Sequence, residues 1–345
     1  MMASEAERAT ATDDPVAYFL QDLTYHGKTE RTREAYERVL RDFETFVRGE
    51  NTSLEAVTQR ECMSWVHTLR EGRSASTVAS YASYLHRFYA YMTQVGAFER
   101  NPMTLVLEEM DESIDTDPAR REIMLPAMRE FVASVTHPLD RAVVVTLLKT
   151  GVRVGELCNL DLRDVYLDDP EIDDAYDSQR RGAIDGRPGS VYVASDPTRG
   201  EETNGERREE SNKRKRATVV PVDEELKRVL KRWLAVRPAA RSPAEPLFCS
   251  TREWGRRLTA GMVGQRVTTY AEDHGWYRAG GGAEENVTPH YFRHFFTTHL
   301  RDRTGDRGVV KYLRGDVASD IIDTYTHNWG DRVRETYERH IYSLL

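Results

Sequence analysis

The sequence predicts a mainly α-helical protein with a small antiparallel β-sheet, arranged as a four-helix N-terminal domain followed by an α+β domain. Three observations carry this. Amphipathic helical periodicity fills residues 14–110, an acidic and irregular stretch with one proline spans 111–122, and two β-rich runs, SVYVAS (190–195) and ATVVPV (217–222), interrupt helical patterning in the remainder. With 345 residues and 39% hydrophobic content, the chain is long enough to build a core in each of two domains.

Taken in order, residues 1–13 are polar and acidic and read as a disordered tail. Four amphipathic segments follow over 14–110. In the second, Tyr36, Leu40, Phe43 and Val47 form one stripe, and in the fourth Val78, Tyr81, Leu85, Phe88 and Met92 do the same. The third opens with a capping box from Thr58 to Glu61; the fourth closes at Gly96, shortly before the helix-incompatible Asn101-Pro102. The opposite faces carry Arg31, Arg33, Arg38 and Arg41 on the second segment and Ser76, Ser80, Ser83, His86 and Arg87 on the fourth, which suits either solvent or a polyanion. Residues 111–122 read as a linker and 123–345 as the second domain. There AVVVTLL (142–148) reads as a buried helix. Between the two strands lies DPTRGEETNGERREESN, in which nine of 17 residues are charged and none is a large apolar anchor. A long, mobile hairpin tip is expected.

No run approaches the roughly 20 apolar residues that span a bilayer, and Cys62, Cys158 and Cys249 are far apart with no CxxC pairing. A soluble cytoplasmic protein without membrane contact is the expectation. The net charge of −8 argues on its face against a nucleic-acid partner. Its distribution argues otherwise: acid crowds into 111–117 and 168–177, base into KRKR (213–216) and the surroundings of Arg293, so a positive groove is compatible with the total.

The chemistry-bearing stretch is TPHYFRHFFTTHL (288–300). His290 and His294, four apart, have the helical spacing of a zinc pair, but no glutamate lies beside the first and Arg293 would set a permanent positive charge next to a dication. Phe292, Phe295 and Phe296 suit a core face. His290 and Arg293, at i and i+3, share a face from which an imidazole and a guanidinium reach one small anion such as phosphate. Arg153 follows the helix-ending Gly151 in TGVRVGEL, Lys213 precedes the second strand in SNKRKRATVVPV, and Tyr325 stands in DIIDTYTHNWG.

Read together and in this order, TGVRVGEL, a lysine before a VP strand, HYFR and a late tyrosine resemble the tyrosine recombinases of the phage integrase family, with an N-terminal part similar to the core-binding domain of Xer-type members. The resemblance implies that Arg153, Lys213, His290, Arg293 and Tyr325 share one active site, with Lys215 as the alternative to Lys213. It implies a site-specific recombinase that cuts and rejoins double-stranded DNA through a covalent 3′-phosphotyrosyl intermediate, as a homotetramer on paired sites, with no metal or nucleotide cofactor. One position departs from the family pattern: nine residues before Tyr325, where histidine or tryptophan is usual, stands Asp316. An ionised carboxylate facing the reacting phosphate would be strongly unfavourable, so Asp316 is expected to turn away and orient a cation such as Arg314 or His290. This departure keeps one alternative in view, a catalytically impaired DNA-binding protein with the same fold. A type IB topoisomerase and a zinc hydrolase are the other rivals. The segment DRVRETYERHIYSLL, through Val333, Tyr337 and Ile341, suits either docking on a neighbouring protomer, in which case its removal would spare monomer folding, or packing on its own domain.

Overall fold

The computed structural model describes residues 13–114, 119–176, 180–316 and 329–345, and the chain divides into two compact units, residues 1–118 and 119–345. The first unit contains α1 (Pro15–Tyr25), α2 (Glu30–Gly49), α3 (Gln59–Arg70), α4 (Ala75–Gln94) and the short α5 (Thr104–Glu109). Side chains at the starts of the four long helices accept the otherwise orphaned N–H groups: Asp14 from Ala17 at 3.0 Å, Thr29 from Thr32 at 3.3 Å, Thr58 from Glu61 at 3.4 Å and Ser74 from Thr77 at 3.3 Å. At α3 the box closes, with the Thr58 N–H donating back to Glu61 at 2.7 Å. The fifth helix exceeds the predicted four. It forms immediately after Asn101-Pro102, because Met103 and Val106 find room in the same core. Leu40, Phe43 and Val47 of α2 and Val78, Leu85, Phe88 and Met92 of α4 are buried, and the Phe43 ring meets Trp65 edge-on at 5.0 Å. Of the basic α2 face, Arg31 and Arg38 are exposed, whereas Arg41 is held by Asp14 and Glu44 at 2.7 and 2.9 Å and Arg33 donates to Thr24 at 3.1 Å.

The second unit comprises α6 (Leu125–Ser134), α7 (Pro138–Thr150), α8 (Val154–Cys158), β1 (Val165–Tyr166), α9 (Pro170–Ala175), β2 (Ser190–Val193), β3 (Glu202–Thr203), β4 (Glu206–Arg207), β5 (Thr218–Pro221), α10 (Glu224–Leu234), α11 (Ala260–Asp273), α12 (Pro289–Thr304), α13 (Arg307–Arg314) and α14 (Trp329–His340). Its centre is α7, buried on nearly every side and packed between α10 and α12. A three-stranded antiparallel sheet runs β1-β2-β5, with Val191 paired to both Val165 and Val220.

The expected mobile tip between β2 and β5 is instead pinned. Its β3–β4 hairpin is followed by Arg208, only 2% exposed, whose guanidinium forks onto the buried Asp161 at 3.1 and 2.7 Å. Arg257 completes the cluster, reaching Asp161 at 2.6 Å and Glu206 at 2.5 Å. The returning chain is fixed by Asn212, which donates to Ala194 and Asp196 carbonyls at 3.0 and 2.9 Å. The anchor is a charge pair, which a search for large apolar residues overlooks.

The C-terminal segment packs in cis. Val333, Tyr337, Tyr342 and Leu344 are buried within their own unit. Tyr337 donates to the Lys149 carbonyl at 3.0 Å, and the fully buried Lys149 ammonium reaches the Tyr342 carbonyl and Asp223 at 2.5 Å and Glu225 at 2.8 Å. Burial opposes ionisation of Glu225, yet Lys149, Ser343 and the Leu344 N–H together hold its carboxyl down at about 2. Removing these residues would uncover a charged ammonium in the core, so they support the monomer's own fold.

Candidate active site

Four chain segments deliver the site. α7 ends at Gly151, whose φ of 62° is left-handed, and a Cβ there would come within 2.2 Å of the Phe296 ring. Glycine is therefore required twice over, by backbone and by packing, and the chain turns so that Arg153 caps α8. Glu156, fully buried, fixes that arginine: it accepts from the Arg153 N–H at 2.9 Å and from its guanidinium at 3.0 Å.

α12 opens with Pro289 at its first position and presents His290 and Arg293 one turn apart. Arg293 is 2% exposed, and its Nη1 is tied to the carbonyls of Gly151 at 2.6 Å and Arg314 at 3.1 Å. α13 ends at Gly315, φ 70°, against the Arg214 side chain, and this turn brings in Asp316.

The geometry converges on that carboxylate. Asp316 Oδ1 accepts from Arg153 Nη2 at 2.7 Å and Arg293 Nη2 at 2.9 Å; Oδ2 accepts from Arg293 Nη2 at 2.9 Å and forms an ion pair with Arg314 Nη2 at 2.9 Å. Burial would raise the Asp316 pKa, but Arg293, Arg314 and Arg153 override it and hold the carboxyl below its ordinary value. Asp316 thus pairs with Arg314, one of the two cations expected for it, and with Arg153 and Arg293 as well. Burial and the charge of Arg153 pull Arg293 down to about 10, still a cation at neutral pH. Around His290, partial burial and the charges of Arg120, Arg293, Arg153 and Arg314 all lower its pKa, which favours the neutral imidazole.

Lys213 and Lys215 flank the buried Arg214 and are both exposed. Arg214 donates to Glu156 and to the Leu313 carbonyl, each at 3.0 Å, and the Lys215 N–H donates to the Gly315 carbonyl at 3.1 Å. The lysine-bearing segment is thereby stitched to Glu156, three residues after Arg153, and to Leu313 and Gly315, just before Asp316. Tyr325 lies outside the described residues. Among the described residues no three His, Cys, Asp or Glu side chains are grouped to hold a metal ion, so the zinc reading of His290 and His294 finds no partners. The sequence reading missed Glu156 and Arg214. The signal for Glu156 was present, an acid inside the apolar VGEL turn three residues after Arg153.

A two-part, mostly helical chain whose second part gathers guanidiniums from remote segments around one anionic seat has the form of a DNA strand transferase. Two family models match: the phage integrase family over residues 182–331, a span that includes Tyr325, and the phage integrase N-terminal SAM-like domain over residues 16–96. The chain belongs to the phage integrase family and is a tyrosine recombinase of the Xer type. It is 26% identical over 342 residues to tyrosine recombinase XerC of Thermodesulfovibrio yellowstonii, covering 96% of this chain and 97% of the relative. With tyrosine recombinase XerD of Pseudomonas aeruginosa it shares 26% identity over 324 residues, covering 91% and 92%. Its fold is similar to that of the Tn1549 transposon integrase in complex with transposon right end DNA, at TM-score 0.60 and 19% identity over 94% and 98% of the chains. A lambda integrase dimer bound to a COC′ core site gives TM-score 0.59 and 15% identity over 89% and 95%. The comparisons give no support to a member that has lost catalysis.

Proposed function

We propose that this recombinase cuts and rejoins double-stranded DNA through a 3′-phosphotyrosyl bond to Tyr325, as a homotetramer on paired sites in the cytoplasm, without a metal or nucleotide cofactor. The observation that carries the reading is that Arg153 and Arg293, 140 residues apart, aim their Nη2 groups at one oxygen position, at 2.7 and 2.9 Å. Such a pair stabilises the extra charge that develops on the non-bridging oxygens as a phosphodiester is attacked.

In the forward step the Tyr325 hydroxyl oxygen bonds to phosphorus and the bond to the 5′ oxygen breaks. His290, kept neutral by its cationic surroundings, accepts or orients the tyrosine proton. Lys213, on the exposed segment before β5, delivers a proton to the departing 5′ oxygen; Lys215 is the alternative donor. Reversal with a 5′ hydroxyl of the partner strand rejoins the DNA, and the energy of the broken bond is conserved in the phosphotyrosine. The exposed arginines of α2 supply sequence-independent phosphate contacts.

Trapping on nicked duplexes carrying the cognate site tests this. The wild type is expected to form a protein–DNA adduct that resists denaturant, and Tyr325→Phe to bind DNA without forming it. An adduct that persists in Tyr325→Phe, or maps by peptide sequencing to another residue, would overturn the assignment.

A further inference from the structure

Asp316 does more than neutralise one neighbour. Both of its oxygens are fully engaged by three guanidiniums, at 2.7 to 2.9 Å. Arg293 cannot relax away, because its other nitrogen is tied to two backbone carbonyls. Arg153 gives its second nitrogen to Glu156. The remaining faces are open: the side chains of Arg153, Arg314 and Asp316 are 27%, 31% and 25% exposed.

A carboxylate and a phosphodiester share the features that matter here. Each presents two oxygens over which a single negative charge is spread, and each suits paired guanidinium donors. We propose that Asp316 is a built-in surrogate for the scissile phosphate, and that Arg314 is the third guanidinium of the seat it fills, supplying the donor that residue 316 does not. This rests on the reading of the site given above. Two anions cannot share the seat, so entry of the phosphate requires the carboxylate to leave it. The backbone need not follow: the Asp316 N–H stays bound to the Lys311 carbonyl at 3.1 Å while the short side chain rotates outward through its exposed side. Without DNA, Asp316 keeps three like charges ordered; with DNA, only a phosphate held in place by the rest of the interface displaces it. The device raises the threshold for cleavage at phosphates that are not positioned by a correct site.

Orthophosphate titrated into the purified full chain, followed by calorimetry, tests the idea on the arginine seat alone. Asp316→Asn keeps the shape and removes the charge, and is expected to bind orthophosphate roughly tenfold or more tightly than the wild type. Adding Arg314→Gln to Asp316→Asn is expected to return most of that gain. A carboxylate with a purely structural role would leave phosphate affinity unchanged or weaker in Asp316→Asn, which would overturn the surrogate; an undiminished gain in the double variant would remove Arg314 from the seat. Asp316→Ser, read the same way, covers a folding failure of the asparagine variant, and failure of both to fold would make the carboxylate a structural keystone and defeat the proposal. The two readings fail separately: an adduct on a tyrosine other than Tyr325 sinks the catalytic assignment while phosphate tightening persists, and a Tyr325 adduct without tightening sinks only the surrogate.

Discussion

At residue scale the site is a problem of excess positive charge. Arg153, Arg293 and Arg314 crowd one carboxylate, and the consequence reaches His290, whose pKa is lowered from its ordinary value of 6.5 by burial and by Arg120, Arg293, Arg153 and Arg314. Because the folded value lies below the unfolded one, the stability that His290 contributes is complete above pH ~6.5 and is lost as pH falls from there towards the folded value. NMR titration of the imidazole, assigned with His290→Gln, is therefore expected to give a midpoint below 6.5. A midpoint at or above the ordinary value would contradict the neutral imidazole assigned here. On the reacting side, Arg153→Ala and Arg293→Ala are each expected to slow adduct formation by roughly a hundredfold or more, as for any lost preorganised donor. Near-normal rates in either variant would remove that arginine from the chemistry.

At the scale of elements, the site depends on turns that release arginines in the right direction. Gly151 joins α7 to α8 with a left-handed backbone against the Phe296 ring, so Gly151→Ala is expected to lower stability by roughly 2–4 kcal/mol through strain and overpacking. Chemical denaturation measures this, and a loss below about 1 kcal/mol would show that the turn can give way. The β3–β4 hairpin offers a parallel case. Arg208→Ala leaves Asp161 buried with a partner missing and is expected to cost roughly 3–5 kcal/mol and to loosen the hairpin to proteases. This is also where legibility in sequence ends. Period-3.6 stripes such as Val78 to Met92 and β-branched runs such as SVYV announce themselves because burial imposes a repeat. The anchoring of DPTRGEETNGERREESN is written in charges whose partners, Asp161 and Arg257, lie about 50 residues away on either side, and no local pattern reports such a pairing. His290 and Arg293 are legible as two polar residues sharing one helix face and Arg153 through the resemblance alone, whereas the roles of Glu156 and Arg214, buried beside them, required the tertiary structure.

At the scale of the whole molecule, the net charge of −8 conceals a partition of charge, and the exposed arginines of α2 and lysines before β5 are the groups proposed to meet a DNA backbone. Binding of Tyr325→Phe to duplex DNA is accordingly expected to weaken steeply with salt, with log K falling linearly against log salt concentration by roughly 0.9 per phosphate contacted. A salt-independent affinity would exclude backbone contacts as its source. The embrace of Lys149 by Tyr337 and Tyr342 carries a further consequence, in time instead of space. The partners of α7 arrive 188 to 194 residues after it in the chain. While the protein is being synthesised, the buried Lys149 end of that helix lacks this part of its cover until residues 337–344 have emerged. The second unit therefore closes its core late, and a nascent chain stalled before residue 337 is a natural client for chaperones and proteases.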